Sequence, residues 1–297
     1  MSAERATSET GRGARRRVLI LGDETKGEVT RHVRELSDWI GSRAELAGVD
    51  LSRTSDLTQV RADLVVAFGG DGTILGAARR MGHNQMPTLG INLGKLGFLS
   101  ETSVEEARLT IDRALTGQLL EEPRMMLECT IERAGTTPRR TLALNDGVLL
   151  REASAAILRI AAFVGDSYVT SYSGDGLIVA GPVGSTAYSL SAGGPILSPV
   201  LDALVLTPLA PHALTVRPLV VPAAAGVRLA IEGSRRDGGG VFVADGQVRF
   251  DLGPDDRVSI QRSTVRFRLL TEPGRSFFEI LRRKFGWAGS PKYEGKG

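Results

Sequence analysis

The sequence predicts an N-terminal parallel α/β domain followed by a β-rich domain. Three observations predict it. Buried-strand runs alternate with helical periodicity up to about residue 123, short alternating segments divided by Gly, Pro or Asp turns follow, and a Phe-rich amphipathic stretch lies near the C-terminus. In chain order, Val18-Leu19-Ile20-Leu21 is an apolar run that stops at Gly22-Asp23, as a first buried strand does. Residues 28–44 then place Val29, Val33, Leu36, Trp39 and Ile40 on one helical face. Leu64-Val65-Val66-Ala67-Phe68 reads as a second buried strand and runs directly into Gly69-Gly70-Asp71-Gly72-Thr73. Residues 74–81 return to helical spacing, and Pro87-Thr88-Leu89-Gly90-Ile91 gives a third strand. Strand, helix, strand, helix, strand implies a parallel sheet with crossover helices.

Past residue 123, strand-like segments recur at 125–133, 141–150, 156–163, 227–231, 241–244 and 258–269. Residues 276–285 set Phe277, Phe278, Ile280, Leu281 and Phe285 in a helical pattern, with Arg282, Arg283 and Lys284 as a solvated face. The last ten residues read as frayed. The predicted organisation is a disordered basic tail (1–16), an α/β domain with the glycine loop (17–123), a β-rich domain (124–270), and a C-terminal helix and tail (271–297).

Composition narrows the function classes. The formal charge is +3, and residues 1–17 carry it all, with five arginines against two glutamates. The remainder is neutral, which disfavours a nucleic-acid binder, since those carry a basic patch on the folded part. Aromatics are 5% of residues, so the core must be built from Val, Leu, Ile and Ala. One cysteine, Cys129, excludes an intrachain disulfide and a cysteine zinc site, and its alternating β context makes it a core residue. No apolar run approaches the roughly 20 residues of a membrane helix. A soluble, cytoplasmic protein without membrane contact is expected.

The sharpest motif is the 69–73 loop between strand and helix. Glycines let a backbone turn tightly and approach an anion, and the helix N-terminus behind them favours negative charge. An acid there repels phosphate, so Asp71 makes sense if it organises Mg²⁺ or accepts a proton from an attacking hydroxyl. The simpler reading is a turn in which Asp71 or Thr73 caps the helix. Two rival phosphate motifs fail. The run from Gly90 to Leu96 is one residue short of a Walker A and ends in leucine, and no Gly-x-Gly-x-x-Gly follows a strand. Residues 174–195 hold six glycines, and Thr186, Tyr188, Ser189 and Ser191 gather hydroxyls around one aromatic. That combination suits a nucleoside, or simply a solvated loop. Leu144-Asn145-Asp146-Gly147 reads as a turn, and His212 after Pro211 as another.

In this order the segments resemble the NAD kinase family. The matching stretches are the 69–73 loop, residues 90–99, Asn145-Asp146, Asp175-Gly176-Leu177, residues 184–195, Asp245-Gly246-Gln247, and the Phe-rich helix with Gly286-Trp287. The likeness covers about residues 17–288. Diacylglycerol kinases and phosphofructokinases share the first loop, whereas the 184–195 block is specific. The resemblance implies a phosphotransferase acting on an alcohol group, moving the γ-phosphoryl of ATP to the adenosine-ribose 2′-hydroxyl of NAD with Mg²⁺ or another divalent ion. It implies Asp71 as catalytic base. NAD contacts would come from Asp71, Gly72, Asn145, Asp146, Asp175, Thr186, Ala187, Tyr188, Ser189, Leu190, Ser191 and Gln247. Phosphate contacts would come from Gly69, Gly70, Gly72 and Thr73, and a homo-oligomer, dimer or tetramer, is expected.

Three departures stand out. The family's Asn-Glu is Asn145-Asp146, its Ser-Thr-Pro-Thr is Ala180-Gly181-Pro182-Val183, and a basic residue before Asp-Gly-Leu is replaced by Ser173-Gly174. Two other classes compete. A lipid or sugar kinase of the same superfamily would not need the 184–195 block. A non-catalytic dinucleotide sensor would not need Asp71.

Overall fold

The computed structural model describes residues 15–94, 96–152, 157–232, 239–253 and 256–287. The predicted tail up to residue 14 and the last ten residues lie outside these. The first half contains β1 (Arg17–Leu21), α1 (Gly27–Gly41), β2 (Glu45–Asp50), β3 (Leu64–Phe68), α2 (Asp71–Met81), β4 (Thr88–Asn92), β5 (Thr102–Ser103) and α3 (Ala107–Leu115). Its strands are parallel in the order β2-β1-β3-β4, with β5 beside β4. All five residues of β3 are buried because both sheet faces are covered. Val65 and Ala67 pack toward α2, and Leu64, Val66 and Phe68 pack toward α1 and α3.

The second half contains β6 (Leu120–Glu132), β7 (Arg139–Ala143), β8 (Asp146–Arg151), β9 (Leu158–Val164), β10 (Ser167–Gly174), β11 (Gly176–Ala180) and α4 (Tyr188–Ser191). It continues with β12 (Ala203–Leu209), β13 (Leu219–Pro222), β14 (Val227–Glu232), β15 (Gly240–Ala244), β16 (Val248–Leu252), β17 (Arg257–Thr271) and α5 (Phe277–Phe285). A purely antiparallel sheet, β13-β12-β11-β8-β15-β16, faces β6, β9, β14 and β17 across an apolar core that includes Leu127, Cys129, Ile160, Val179, Phe242 and Ile260. Cys129 is wholly buried, as its context predicts, and burial pushes its thiol pKa up.

The halves are not separate sheets. β17 pairs antiparallel with β6 and β14, and its far end meets β4 in parallel at Leu269 and Thr88. One sheet therefore runs through both, which fixes the loops that follow β3 relative to the second half. Two sequence readings are refined. The strand expected at 141–150 breaks at Leu144-Asn145 into β7 and β8, and the start of the supposed glycine loop is the fully buried β11. Along β11, Leu177 and Val179 enter the main core while Ile178 and Ala180 join Val148, Leu197 and Val205 on the outer face. The 184–195 segment lies over that outer face.

α5 starts at Ser276, whose side chain accepts from the Phe278 N–H at 3.2 Å, and stops at Gly286 in the left-handed region. Its Phe277 and Phe285 rings lie 6.3 and 6.0 Å from the ring of Phe98, and the Lys284 ammonium sits 4.3 Å over that ring. The partner of the C-terminal helix is thus the loop that follows β4.

Candidate functional site

The 69–73 loop sits where β3 hands over to α2. Gly69 has φ +146, and a Cβ there would run into the Thr73 side chain, so only glycine fits. Gly70 is the N-cap and Asp71 the first helical residue, so neither Asp71 nor Thr73 caps the helix as the simpler reading would have it. The Asp71 carboxylate reaches across to the loop after β4. Its Oδ2 accepts from the Phe98 N–H at 2.8 Å. Its Oδ1 accepts from the Leu99 and Ser100 N–H groups, both at 3.0 Å, and from the Ser100 hydroxyl at 3.1 Å. Gly97 makes the approach possible, since a Cβ there would fall on Asp71 Oδ1. Oδ2 keeps a lone pair for chemistry.

The second component is the turn between β7 and β8. Asp245, at φ +51 after β15, accepts from the N–H groups of Leu144, Asn145 and Asp146 at 2.8, 2.7 and 3.1 Å. Three charge-assisted bonds offset the roughly 1 kcal/mol of a non-glycine left-handed conformation. On its other side the turn receives the next loop, with Gly181 N–H donating to the Asn145 carbonyl at 3.0 Å. Gly184 lies so close that a Cβ would overlap the Asn145 backbone.

Asp146 is buried beside Asp245, and among the described residues no donor reaches its carboxyl. Burial first, then the Asp245 charge, pushes its pKa up to about 7. Burial raises Asp245 to about 6, against the pull of its three N–H donors and Arg79. Asp245, with donors, is therefore the ionised member, and Asp146 is the one that holds a proton near neutrality. The folded chain then keeps a proton that the unfolded chain, at the usual value of 3.8, has released. The contribution of Asp146 to stability is full below about pH 4 and declines as pH rises to about 7. Asp146→Asn should melt higher than the parent at pH 8, by the equivalent of a few kcal/mol, with the gap closing toward pH 4. Thermal melts across pH 4–8 measure this, and a pH-independent gap would contradict it.

Two cavities flank the segment from Val183 to Tyr188. One, of about 310 Å³, is bounded by Asn145, Asp146, Ala187, Tyr188 and Asp245. The other, of about 540 Å³, is bounded by Phe98, Leu99, Val183, Thr186 and Phe277. Tyr188 is exposed at the mouth of the first. Ser189 points the other way, its buried hydroxyl 2.8 Å from that of Thr207, because the turn must bury one polar side chain and Thr207 partners it. The Thr186 hydroxyl donates to the Val183 carbonyl at 3.0 Å. Leu190 is half-buried and Ser191 exposed. The altered residues Ala180-Gly181-Pro182-Val183 are all buried, and Val183 packs in the core under α2, so the missing hydroxyls are replaced by packing.

Gln247 joins the two components, its Nε2 donating to the Gly72 carbonyl at 2.8 Å. The structure thus gathers Gly69, Gly70, Asp71, Gly72, Thr73, Asn145, Asp146, Thr186, Ala187, Tyr188 and Gln247. Asp175 is left out. In the β8–β11 ladder Asp146 pairs Ala180 and Leu150 pairs Gly176, which sets Asp175 roughly 13 Å or more along the strand. There it pairs with Arg151 at 2.6 Å. Sequence reasoning overlooked Gly97, the Phe98, Leu99 and Ser100 donors, Arg79, and the role of Asp245. The signals for Asp245 were an aspartate before glycine at a hairpin turn and its place in the matching stretch Asp245-Gly246-Gln247. His212, as expected, sits in an exposed turn, its N–H on the Ser173 carbonyl.

Comparison with known proteins shows the family of the chain. Residues 15–119 match the family model of the ATP-NAD kinase N-terminal domain, and residues 144–271 match that of the C-terminal domain. The chain is 41% identical over 276 residues to an NAD kinase of Heliobacterium modesticaldum, covering 90% of this chain and 96% of that one. It is 40% identical over 279 residues to an NAD kinase of Rhodopirellula baltica, covering 94% and 89%. Among solved structures, an Archaeoglobus fulgidus NAD kinase in complex with ATP superposes with TM-score 0.72 at 28% identity, covering 92% of this chain and 100% of that one. Yeast NADH kinase complexed with NADH superposes with TM-score 0.83 at 24% identity, covering 94% and 89%, a likeness of fold.

Proposed function

The chain belongs to the ATP-NAD kinase family and is an enzyme that phosphorylates NAD, and from that premise we propose how its residues divide the work. NAD spans the two cavities across Thr186, Ala187 and Tyr188, with Tyr188 against a base. Asn145 and Asp146 meet sugar hydroxyls. A buried carboxyl without donors suits a diol, which brings its own. The adenosine 2′-oxygen attacks the γ-phosphorus of ATP, the bond from that phosphorus to the bridging oxygen breaks, and ADP departs. The hydroxyl proton passes to Asp71 Oδ2. The four donors on the carboxylate hold it still, so little reorganisation accompanies the transfer. Gly69, Gly70, Gly72 and Thr73 lie at the start of α2 nearest the phosphates. The Gly69 and Thr73 N–H groups are bonded to the Ile91 and Gly70 carbonyls, so the Gly70 and Gly72 N–H groups and the helix dipole are left to stabilise negative charge.

The donor set fits magnesium. Among the described residues no three His, Cys, Asp or Glu side chains converge, and this ion is commonly carried by substrate phosphates with one or two carboxylates. When bound, it would neutralise charge on the transferred group and would be held chiefly by the phosphates, because four donors occupy the Asp71 carboxylate and its remaining lone pair takes the proton. No described helix is long and apolar enough to cross a membrane, and a single buried thiol suits a reducing cytoplasm. A homo-oligomer, dimer or tetramer, belongs to the same reading, in which Asp175, distant from Asp146 along the β8–β11 ladder, would reach a dinucleotide held by another copy.

The observation that carries this reading is that a glycine loop with its acid at a helix N-terminus is hydrogen-bonded, through Gln247, to the wall of a sugar-sized cavity. A coupled assay of NADP formation from NAD, ATP and Mg²⁺ tests it. NADP should accumulate in step with ADP, while diacylglycerol and a sugar phosphate should consume no ATP. ATP use with the lipid or sugar but not with NAD would overturn it, as would NAD binding without product.

A further inference from the structure

The residues that orient Asp71 are themselves held from outside by the C-terminal segment. Phe98, Leu99 and Ser100 donate four hydrogen bonds to the Asp71 carboxylate. One residue further on, the Glu101 carbonyl accepts from Arg275 Nη1 at 2.9 Å. A turn brings Arg275 there. Glu272-Pro273-Gly274-Arg275 has proline second and Gly274 third, at φ +84, which is the pattern of a type II turn. The Arg275 N–H closes it, donating to the Glu272 carbonyl at 3.3 Å. Arg113 of α3 anchors the start of the turn through the Glu272 carboxylate at 2.9 Å. At its end the half-buried Arg275 guanidinium lies 3.8 Å from the Glu101 carboxylate and 3.6 Å from that of Glu106, the N-cap of α3. Burial pushes the Glu101 carboxyl pKa up, and Arg275 pulls it back. The Phe277 and Phe285 rings also pack on Phe98, but apolar contact is non-directional and lets a loop slide. A charged donor on a carbonyl sets the position of the backbone itself.

We propose that Arg275 is a positioning residue for phosphoryl transfer, a latch that holds the 97–101 loop from outside and so keeps the Asp71 carboxylate in line. It acts only through Asp71, and so depends on the reading of that carboxylate as the base. Without the latch the loop can shift, and the carboxylate follows its four donors. Misplacement by about 1 Å costs on the order of 10²-fold in rate. Arg275 also stands on the wall of the cavity of about 540 Å³, so direct contact with the dinucleotide is the rival role. A latch acts on alignment in the transition state, whereas a contact acts on affinity, and kinetics separate the two.

Arg275→Gln removes the charge and shortens the side chain. It should lower kcat about 10- to 100-fold and leave the NAD dissociation constant of the full chain within several-fold. Arg275→Lys can reach the carbonyl with one donor but gives up the fork, so its kcat should fall between those of the parent and Arg275→Gln. In the Asp71→Asn background neither change should slow the enzyme by more than about two-fold, since both act through the same carboxylate. Arg113→Gln is the control at the other end of the turn. It frees the turn from α3, leaves Arg275 on Glu101, and should keep the parent kcat. A raised dissociation constant with unchanged kcat at saturating NAD would make Arg275 a dinucleotide contact and overturn the latch. So would slowing by the same factor with and without Asp71→Asn, or a loss in Arg113→Gln that matches Arg275→Gln. If Arg275→Gln does not fold, Arg275→Lys carries the comparison across the two backgrounds. Failure of the underlying reading looks different. In that case Asp71→Asn would leave turnover intact, whereas a wrong latch alone leaves Asp71→Asn slow and Arg275→Gln fast.

Discussion

Asp71→Asn should reduce turnover of NAD by about 10²–10⁴-fold while the NAD dissociation constant moves by no more than several-fold, as read from initial rates and direct titration. The span is what a positioned general base contributes. The competing effect is structural, and magnitude separates the two. With its oxygen placed at Oδ1, an asparagine still accepts from Leu99, Ser100 and the Ser100 hydroxyl. Its amide nitrogen then faces the Phe98 N–H that Oδ2 accepts from at 2.8 Å, and one bond is lost. A lost bond of this kind costs about 1–3 kcal/mol. The Phe98 loop is also held by the Phe277 and Phe285 rings and by Lys284. The loop should therefore stay in place, and the melting temperature should fall by only a few degrees. Asp71→Ala removes all four bonds and should lower both turnover and melting temperature. If Asp71→Asn weakens NAD binding but the bound fraction turns over normally, Asp71 is a binding group and the base lies elsewhere.

What could be read from the sequence was whatever short-range pattern encodes. Residues 64–68 followed by two glycines announce a buried strand and a sharp turn, and the structure has β3 and α2 there. β2 escaped notice because Glu45–Asp50 is an edge strand with charged ends and no fully buried residue. β11 escaped because its flanking glycines mimic a loop, although Gly176 is required by its closeness to the Leu149 carbonyl. The site was legible as a set of motifs and not as a geometry. Asp71 is bound by residues 27 to 29 positions away, Asp245 by residues about 100 away, and Gln247 by one 175 away. No periodicity reports partners at such separations. Nothing local says that Ser189 turns inward, or that Asp175 stands at the opposite end of a strand from Asp146.

Gly97→Ala should cost at least about 10²-fold in turnover, although it touches neither substrate nor charge. The backbone of Gly97 is not in the left-handed region, so alanine brings no torsional strain there. By itself the change would stabilise the fold by about 0.4–1 kcal/mol through the unfolded chain. What opposes it is the new methyl, which would overlap Asp71 Oδ1 and the Ser100 hydroxyl. Aspartate has a short side chain, so the carboxylate can yield only by rotating away from the Phe98, Leu99 and Ser100 donors. Bonds to a charged acceptor are worth about 1.5–3 kcal/mol each, so losing more than one outweighs the entropic gain. A displacement of about 1 Å then carries the rate penalty. Gly94→Ala, three residues earlier with nothing within 4 Å of its Cβ, is the control and should retain activity. In the Asp71→Asn background, Gly97→Ala should slow the enzyme little further, since both changes remove the same proton acceptor. Full additivity of the two would mean that the loop serves the substrate directly and not through Asp71.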